Sequence, residues 1–370
     1  MSPDLSAPPL GGPASAGFAT ALEGFRDRFE AELGRWLARR RLEMTGEAPE
    51  TAELVDRLDP YVLRGGKRVR PAVLYYAYRA CGGRGEESVL PAAMAAELLH
   101  TYLLIHDDIM DRAETRRGEP AAHRQFSRDH RERGWAGDAD HHGLSVAILL
   151  GDLAHTYADE LFAACDVDEK RRAEAGARFS LMCREVIAGQ YLEMTAAQRA
   201  RATEEDLLRV LRMKSGRYSV QRPMEIGALL AGAPAATLDG LSRLGGLAGE
   251  AFQLQDDLLG MFGDRQEVGK PVGGDLVEGK FTLLIFHTLG RCSAEERDAV
   301  LAALGNAGAR AEEIDRVRGI IRAVGAERQV TGMIDERLRE AAGILEGLGL
   351  ERDGRDFFSG LIEYLRTRRR

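Results

Sequence analysis

The stretch PAAMAAELLHTYLLIHDDIMD, residues 91–111, carries small and apolar residues at helical spacing and contains no internal glycine. It reads as one long helix. At 3.6 residues per turn, Asp107 and Asp111 fall one turn apart on the same face, with Asp108 adjacent. Leu103, Leu104 and then His100 lie further up the same side of the helix. Carboxylates at a helix C-terminus oppose the macrodipole and repel one another, so this accumulation calls for a counter-cation. A second apolar run, FQLQDDLLG at residues 252–260, ends in the same way with Asp256 and Asp257. Mg²⁺ prefers oxygen ligands and is usually held by one or two carboxylates plus phosphate. Two such clusters facing each other would bind several divalent cations, and those cations would hold a polyanion such as a diphosphate.

The rest of the chain agrees with a helical reading. Ala, Leu, Glu and Arg dominate, and no run of β-branched or aromatic residues alternates at period two. Punctuation comes from Arg64-Gly65-Gly66, Cys81-Gly82-Gly83, Arg133–Gly143, Ala231–Pro234 and Val272-Gly273-Gly274. Between these lie ten or more helices, with no evident linker. The expectation is a flexible Pro/Gly/Ala/Ser-rich tail over residues 1–17 and a single all-α domain over 18–370. The stretch Ser127–Gly143 is polar and reads as a solvated loop; the spacing of His130, His141 and His142 fits no ligand set.

Composition excludes several classes. A net charge of -8 argues against general nucleic-acid binding. No apolar run is long enough to span a bilayer; Leu144–Leu150 is among the longest. No secretory signal is visible, and the four scattered cysteines suit a reduced, cytoplasmic setting.

Cationic residues cluster near the acidic motifs. Arg116-Arg117-Gly118 follows the first by five residues, and two guanidinium forks there can clamp two phosphates. Upstream, Gly65-Gly66-Lys67-Arg68-Val69-Arg70-Pro71 sets glycines before three cations, which reads as another phosphate clamp. Lys214-Ser215-Gly216, Lys270 and Lys280 surround the second motif.

GGKRVRP, HDDIMDRAETRRG, MKSG, FQLQDDLLGMFGD and GKPVGGDLVEGK, in this order and spacing, resemble the trans-isoprenyl diphosphate synthases (polyprenyl synthetases) over roughly residues 20–365. The resemblance implies a helical bundle around a deep central cavity, generally as a homodimer. It implies three Mg²⁺ ions on Asp107, Asp111 and Asp256, with Asp108 and Asp257 supporting. The allylic diphosphate would be met by Arg116, Lys214, Ser215 and Lys270, with Lys280 a weaker candidate. Isopentenyl diphosphate would be held by Lys67, Arg70, His100 and Arg117. Gln253 matches a polar residue near the reacting carbons, Gln190 is a further pocket candidate, and His106 reads as a positioning residue.

Two departures stand out. Gly260 occupies the place of the second motif's third aspartate, which predicts one fewer acidic contact there. Glu193 stands where an aspartate often follows the Gly-Gln pair. Tyr102, five residues before Asp107, with Leu103 next to it, is expected to limit the growing chain, which favours a twenty-carbon product over fifteen. A class I terpene cyclase and a non-catalytic subunit are the rival readings. Asp256, Gly260 and Asp264 faintly echo a cyclase motif, but a cyclase has no second diphosphate to hold with Lys67, Arg70 and Arg117. A non-catalytic subunit tends to lose its aspartates. The terminal Arg366-Thr367-Arg368-Arg369-Arg370 reads equally as a lid over phosphate or a solvated tail.

Overall fold

A computed structural model of the chain describes residues 13–196, 202–263 and 273–367. The helices are α1 (Pro13–Glu47), α2 (Ala52–Leu63), α3 (Val69–Ala80), α4 (Leu90–Met110), α5 (Ala122–Glu132), α6 (Ala139–Ala163), α7 (Glu169–Ala196), α8 (Glu204–Val210), α9 (Arg222–Ala231), α10 (Ala235–Phe262) and α11 (Gly274–Val277). Five more helices follow between Leu283 and Thr367. The chain gathers into two compact units, Leu22–Tyr75 with Arg84–Arg172, and the described residues of Met1–Ala21, Tyr76–Gly83 and Ala173–Arg370.

In the first unit α4 packs along α6, and α6 also carries α5. The core is filled by Phe25, Phe29, Leu33, Leu37, Leu58, Leu98, Leu99 and Ile105, all fully buried. Each such side chain contributes about 1.5–3 kcal/mol by leaving water. The α5–α6 seam closes tightly because Gly143 sits against Ser127 and the His123 carbonyl, where a Cβ has no room.

In the second unit α10 packs against the 326–347 helix and against a wide-turned π segment, Leu211–Gln221. Gly216 and Gly249 face each other across that second seam with their backbones nearly in contact. An eleven-residue π run is rare, and such geometry concentrates at functional sites. Buried ion pairs brace the segment and its continuation. Glu185 accepts from Arg217 (2.6 Å) and from Arg222 Nε (2.7 Å), while Glu225 accepts from Arg222 Nη1 (2.6 Å) and the Ser242 hydroxyl (2.6 Å).

Two expectations are corrected, and one local element is added. The α1 helix begins at Pro13, so the last five residues of the expected tail are helical; residues 1–12 lie outside the described residues. Ser127–Gly143 is not a loop. It is the end of α5, a short turn and the start of α6, because α5 is strongly amphipathic and buries Phe126 and His130. Asp138 then caps α6 by accepting from the backbone N–H groups of Asp140 and His141. Finally, the Arg116-Arg117 pair sits on a two-stranded hairpin, β1 (Thr115–Arg116) and β2 (Glu119–Pro120). Arg117 and Gly118 both take positive φ, 53° and 80°, as tight two-residue hairpin turns require.

Candidate active site

In the first unit α4 runs to Met110, and Asp111 is its C-cap. Asp107 is half-buried and Asp111 exposed, one helical turn apart. Asp108 turns the other way and is fully buried. Its oxygens accept from Arg116 Nε at 2.9 and 3.1 Å and from the Tyr61 hydroxyl at 3.0 Å. Tyr61 in turn accepts from the Ala122 N–H at the start of α5 (3.1 Å). Burial, then the Asp108 charge, pushes the Tyr61 phenol far above its usual range, so it remains a donor. Asp108 therefore ties α2, α4, α5 and the hairpin together, and it fixes the direction of the Arg116 fork.

Arg117 Nη1 donates to the carbonyls of Arg64 (2.7 Å) and Gly65 (3.2 Å), locking the hairpin to the glycine turn. Arg70 Nη1 donates to His100 Nε2 (3.4 Å). Burial, then Arg70, Arg117, Arg116 and Arg68, drives the His100 pKa well down, so His100 is neutral at pH 7. Of these guanidinium groups, Arg68 is paired with Glu97 and Glu30, and Arg116 with Asp108. Lys67 is exposed. Arg116 and Arg117 also line a cleft of about 500 Å³ with Tyr61, Arg64 and Leu104.

Arg68 is not a phosphate clamp. Its side chain is fully buried, donating to Glu97 and, at 2.9 Å, to Glu30, with its φ forced to 51°. The GGKR turn thus owes its shape to an internal strut, while Lys67 and Arg70 flank it. Tyr102 lies in the α4–α6 seam, its ring 4.6 Å from His106 and 5.0 Å from His155. Leu103 is half-buried next to it. His106 Nε2 donates to the Ile148 carbonyl (3.2 Å), over the gap left by Gly151.

In the second unit Gln253 Nε2 donates to Asp257 Oδ1 (2.8 Å) on α10. Burial, then the charge of Asp275, pushes the Asp257 carboxyl up to about 7; Gln253 opposes this and Asp256 adds to it. Crowded carboxylates with too little positive charge among them fit a hard divalent cation. Among the described residues no three His, Cys, Asp or Glu side chains converge on one point. Lys214 and Ser215 lie on the π segment, half-buried. Lys214 Nζ pairs with Glu193, so the unexplained acid of the Gly-Gln stretch is the partner that aims this lysine. Both amide atoms of Gln190 are buried without a hydrogen-bond partner. Lys280 pairs with Glu278 (2.7 Å) and Asp275 (3.2 Å); against the cost of burial, these acids raise its pKa far above the usual lysine value. Lys270, Asp264 and Arg368–Arg370 lie outside the described residues; Arg366 pairs with Glu363 (2.9 Å).

Tyr61, Glu97 and Glu30 carried no sequence signal, since each acts only through partners far along the chain. No helix among the described residues is long and apolar enough to cross a membrane.

A helical chain with two Asp-Asp motifs and this arginine cluster has the character of a prenyltransferase. The model of the polyprenyl synthetase family matches residues 52–321, and the chain belongs to that family. It is 37% identical over 255 residues to a geranylgeranyl diphosphate synthase of Methanosarcina mazei, covering 66% of this chain and 73% of the relative. It is 34% identical over 284 residues to the geranylgeranyl diphosphate synthase of Mycobacterium tuberculosis, covering 76% and 75%. The solved structure of a geranylgeranyl pyrophosphate synthase from Corynebacterium glutamicum, complexed with isoprenyl diphosphate and magnesium, matches with a TM-score of 0.89. That match has 34% identity and covers 94% of this chain and 99% of that one. The expected family, all-α fold and enzyme class are borne out.

Proposed function

We propose that the protein condenses isopentenyl diphosphate with an allylic diphosphate, 1'-4, to an all-trans prenyl diphosphate of twenty carbons, geranylgeranyl diphosphate. The observation that carries this reading is Arg70 at 3.4 Å from His100, with Arg117 held on the glycine turn, in a chain that also holds two Asp-Asp motifs. One polyanion needs the acidic motifs and their cations; Arg70 and Arg117 provide for a second.

Divalent cations held by Asp107, Asp111 and Asp256, three of them by family analogy, would supply charge neutralisation for the departing diphosphate. As the resemblance to the family implies, Arg116, aimed by Asp108, and Lys214, aimed by Glu193, would each bind the allylic diphosphate, with Lys270 and Lys280 contributing positive charge. At about 4 Å and an effective dielectric near 20, each unit-charge contact is worth roughly 4 kcal/mol. Lys67, Arg70, His100 and Arg117 hold the isopentenyl diphosphate, and neutral His100 lets the guanidinium forks approach without adding a further repelling charge. Breaking the allylic C1–O bond leaves an allylic cation. The double bond of isopentenyl diphosphate attacks it through C4, a C2 proton departs, and the released diphosphate accepts that proton. No protein base is used, which agrees with His106 being engaged by the Ile148 carbonyl. Gln253 and Gln190 line the reacting region, where water must be kept out.

The exposed apolar side chains Ile148 and Leu149 on α6, 44% and 59% accessible, support a homodimer. The four free cysteines support a cytoplasmic setting. Mass analysis of products from isopentenyl diphosphate with five-, ten- and fifteen-carbon allylic starters tests the reading. A twenty-carbon diphosphate is expected; a fifteen-carbon end product would make the protein a farnesyl diphosphate synthase. A hydrocarbon formed from geranylgeranyl diphosphate alone would make it a cyclase.

A further inference from the structure

Gly260 comes one turn after Asp256 on α10 and leaves the second motif without its third carboxylate. The expectation of one fewer acidic group at that place does not hold. The space that a side chain at 260 would fill is taken by another carboxylate: an ideal Cβ there would lie 2.5 Å from Asp275 Oδ2 and 3.3 Å from its Cγ. Backbone contact brings the two together, because the Gly273 N–H donates to the Gly260 carbonyl (2.9 Å) and delivers α11 to the helix. Asp275 then divides its oxygens. Oδ1 accepts from Lys280 Nζ (3.2 Å), and Oδ2 turns toward α10.

We propose that Asp275 supplies, from a separate element, the third carboxylate that the second acidic motif lacks at Gly260, and that it positions the water shell of the divalent cation bound at Asp256. This rests on the reading of the site given above. Mg²⁺ keeps several waters, each of which donates hydrogen bonds, and a carboxylate one turn from the ligand is well placed to accept them. Lys280 fixes the carboxylate rotamer. A side chain at 260 would displace Asp275 Oδ2 from this position.

The test is Mn²⁺ binding to the full chain with inorganic pyrophosphate, with free Mn²⁺ counted by electron paramagnetic resonance. Asp275→Asn should weaken Mn²⁺ binding about 10- to 100-fold, the usual range for an outer-shell partner. Gly260→Asp combined with Asp275→Ala, which keeps only the Cβ at 4.0 Å and so clears the space, returns a carboxylate to the motif from the helix side and should bind Mn²⁺ more tightly than Asp275→Ala alone. Gly260→Asp alone should not tighten binding, because two carboxylates would then contest one space. Unchanged Mn²⁺ affinity in Asp275→Asn, with only a lowered melting temperature matching that of Lys280→Met, would overturn the proposal and leave Asp275 a structural partner of Lys280. A Gly260→Asp/Asp275→Ala double variant that binds no better than Asp275→Ala would also overturn it. Failure of the parent protein to bind Mn²⁺ with pyrophosphate would instead sink the underlying site assignment.

Discussion

Replacing Asp108 by alanine separates scaffold from ligand within a single Asp-Asp pair. Asp108 is fully buried and accepts from the Arg116 guanidinium and the Tyr61 hydroxyl. Its removal leaves a charged fork, 18% exposed, and a buried phenol without their acceptor. Breaking a buried pair from one side costs about 3–5 kcal/mol. For 370 residues unfolding with an entropy of about 2.1 cal/mol/K per residue, a 4 kcal/mol loss lowers the melting temperature by about 5 °C. Calorimetry on Asp108→Ala, Arg116→Met and the double variant gives the coupling. The double variant should be less destabilised than the sum of the singles by at least about 1 kcal/mol. Mn²⁺ affinity with pyrophosphate should fall far less in Asp108→Asn than in Asp107→Asn. An Asp108→Ala protein as stable as its parent, or one that loses cation binding as fully as Asp107→Ala, would refute the division of roles.

Three other outcomes follow from the geometry. Tyr102→Ala should lengthen the main product by one or more five-carbon units, seen by mass spectrometry; an unchanged twenty-carbon product would remove Tyr102 as the limit. At Gly189 an added Cβ would lie 2.7 Å from the Lys214 Cα. Gly189→Ala should therefore cost about 1–3 kcal/mol by overpacking and raise the Michaelis constant for the allylic substrate, measured by melting and steady-state kinetics. Because the folded-state pKa of Asp257 is raised to about 7 from an ordinary value near 4, the folded chain binds the extra proton between those pH values and loses stability as pH rises through them. Without divalent cations, Asp257→Asn should thus be more stable than the parent above pH 7, with the gap shrinking toward pH 4. A gap independent of pH would contradict the assignment.

Much of the fold was legible because α4 and α10 are apolar stripes that end in carboxylates, a pattern local to each helix. The two motifs, Lys67, Arg70 and the Arg116-Arg117 pair could be read the same way. Residues 127–143 were misread because α5 is rich in His, Asp and Arg, and only burial of Phe126 and His130 reveals its inner face. Arg68 resembled its cationic neighbours, although its role depends on Glu97, 29 positions away, and on Glu30, 38 away. Glu193 and Asp275 were obscure for the same reason. Each is defined by a partner, Lys214 or Gly260, that only the folded chain brings near.

The most direct measurement is the condensation rate of purified parent, Asp107→Ala and Asp256→Ala proteins with isopentenyl diphosphate, farnesyl diphosphate and Mg²⁺. The parent should form geranylgeranyl diphosphate unaided, and each variant should lose at least about a hundredfold in rate, since every tenfold reflects only about 1.4 kcal/mol of lost transition-state stabilisation. Either variant working at the parental rate would contradict the account.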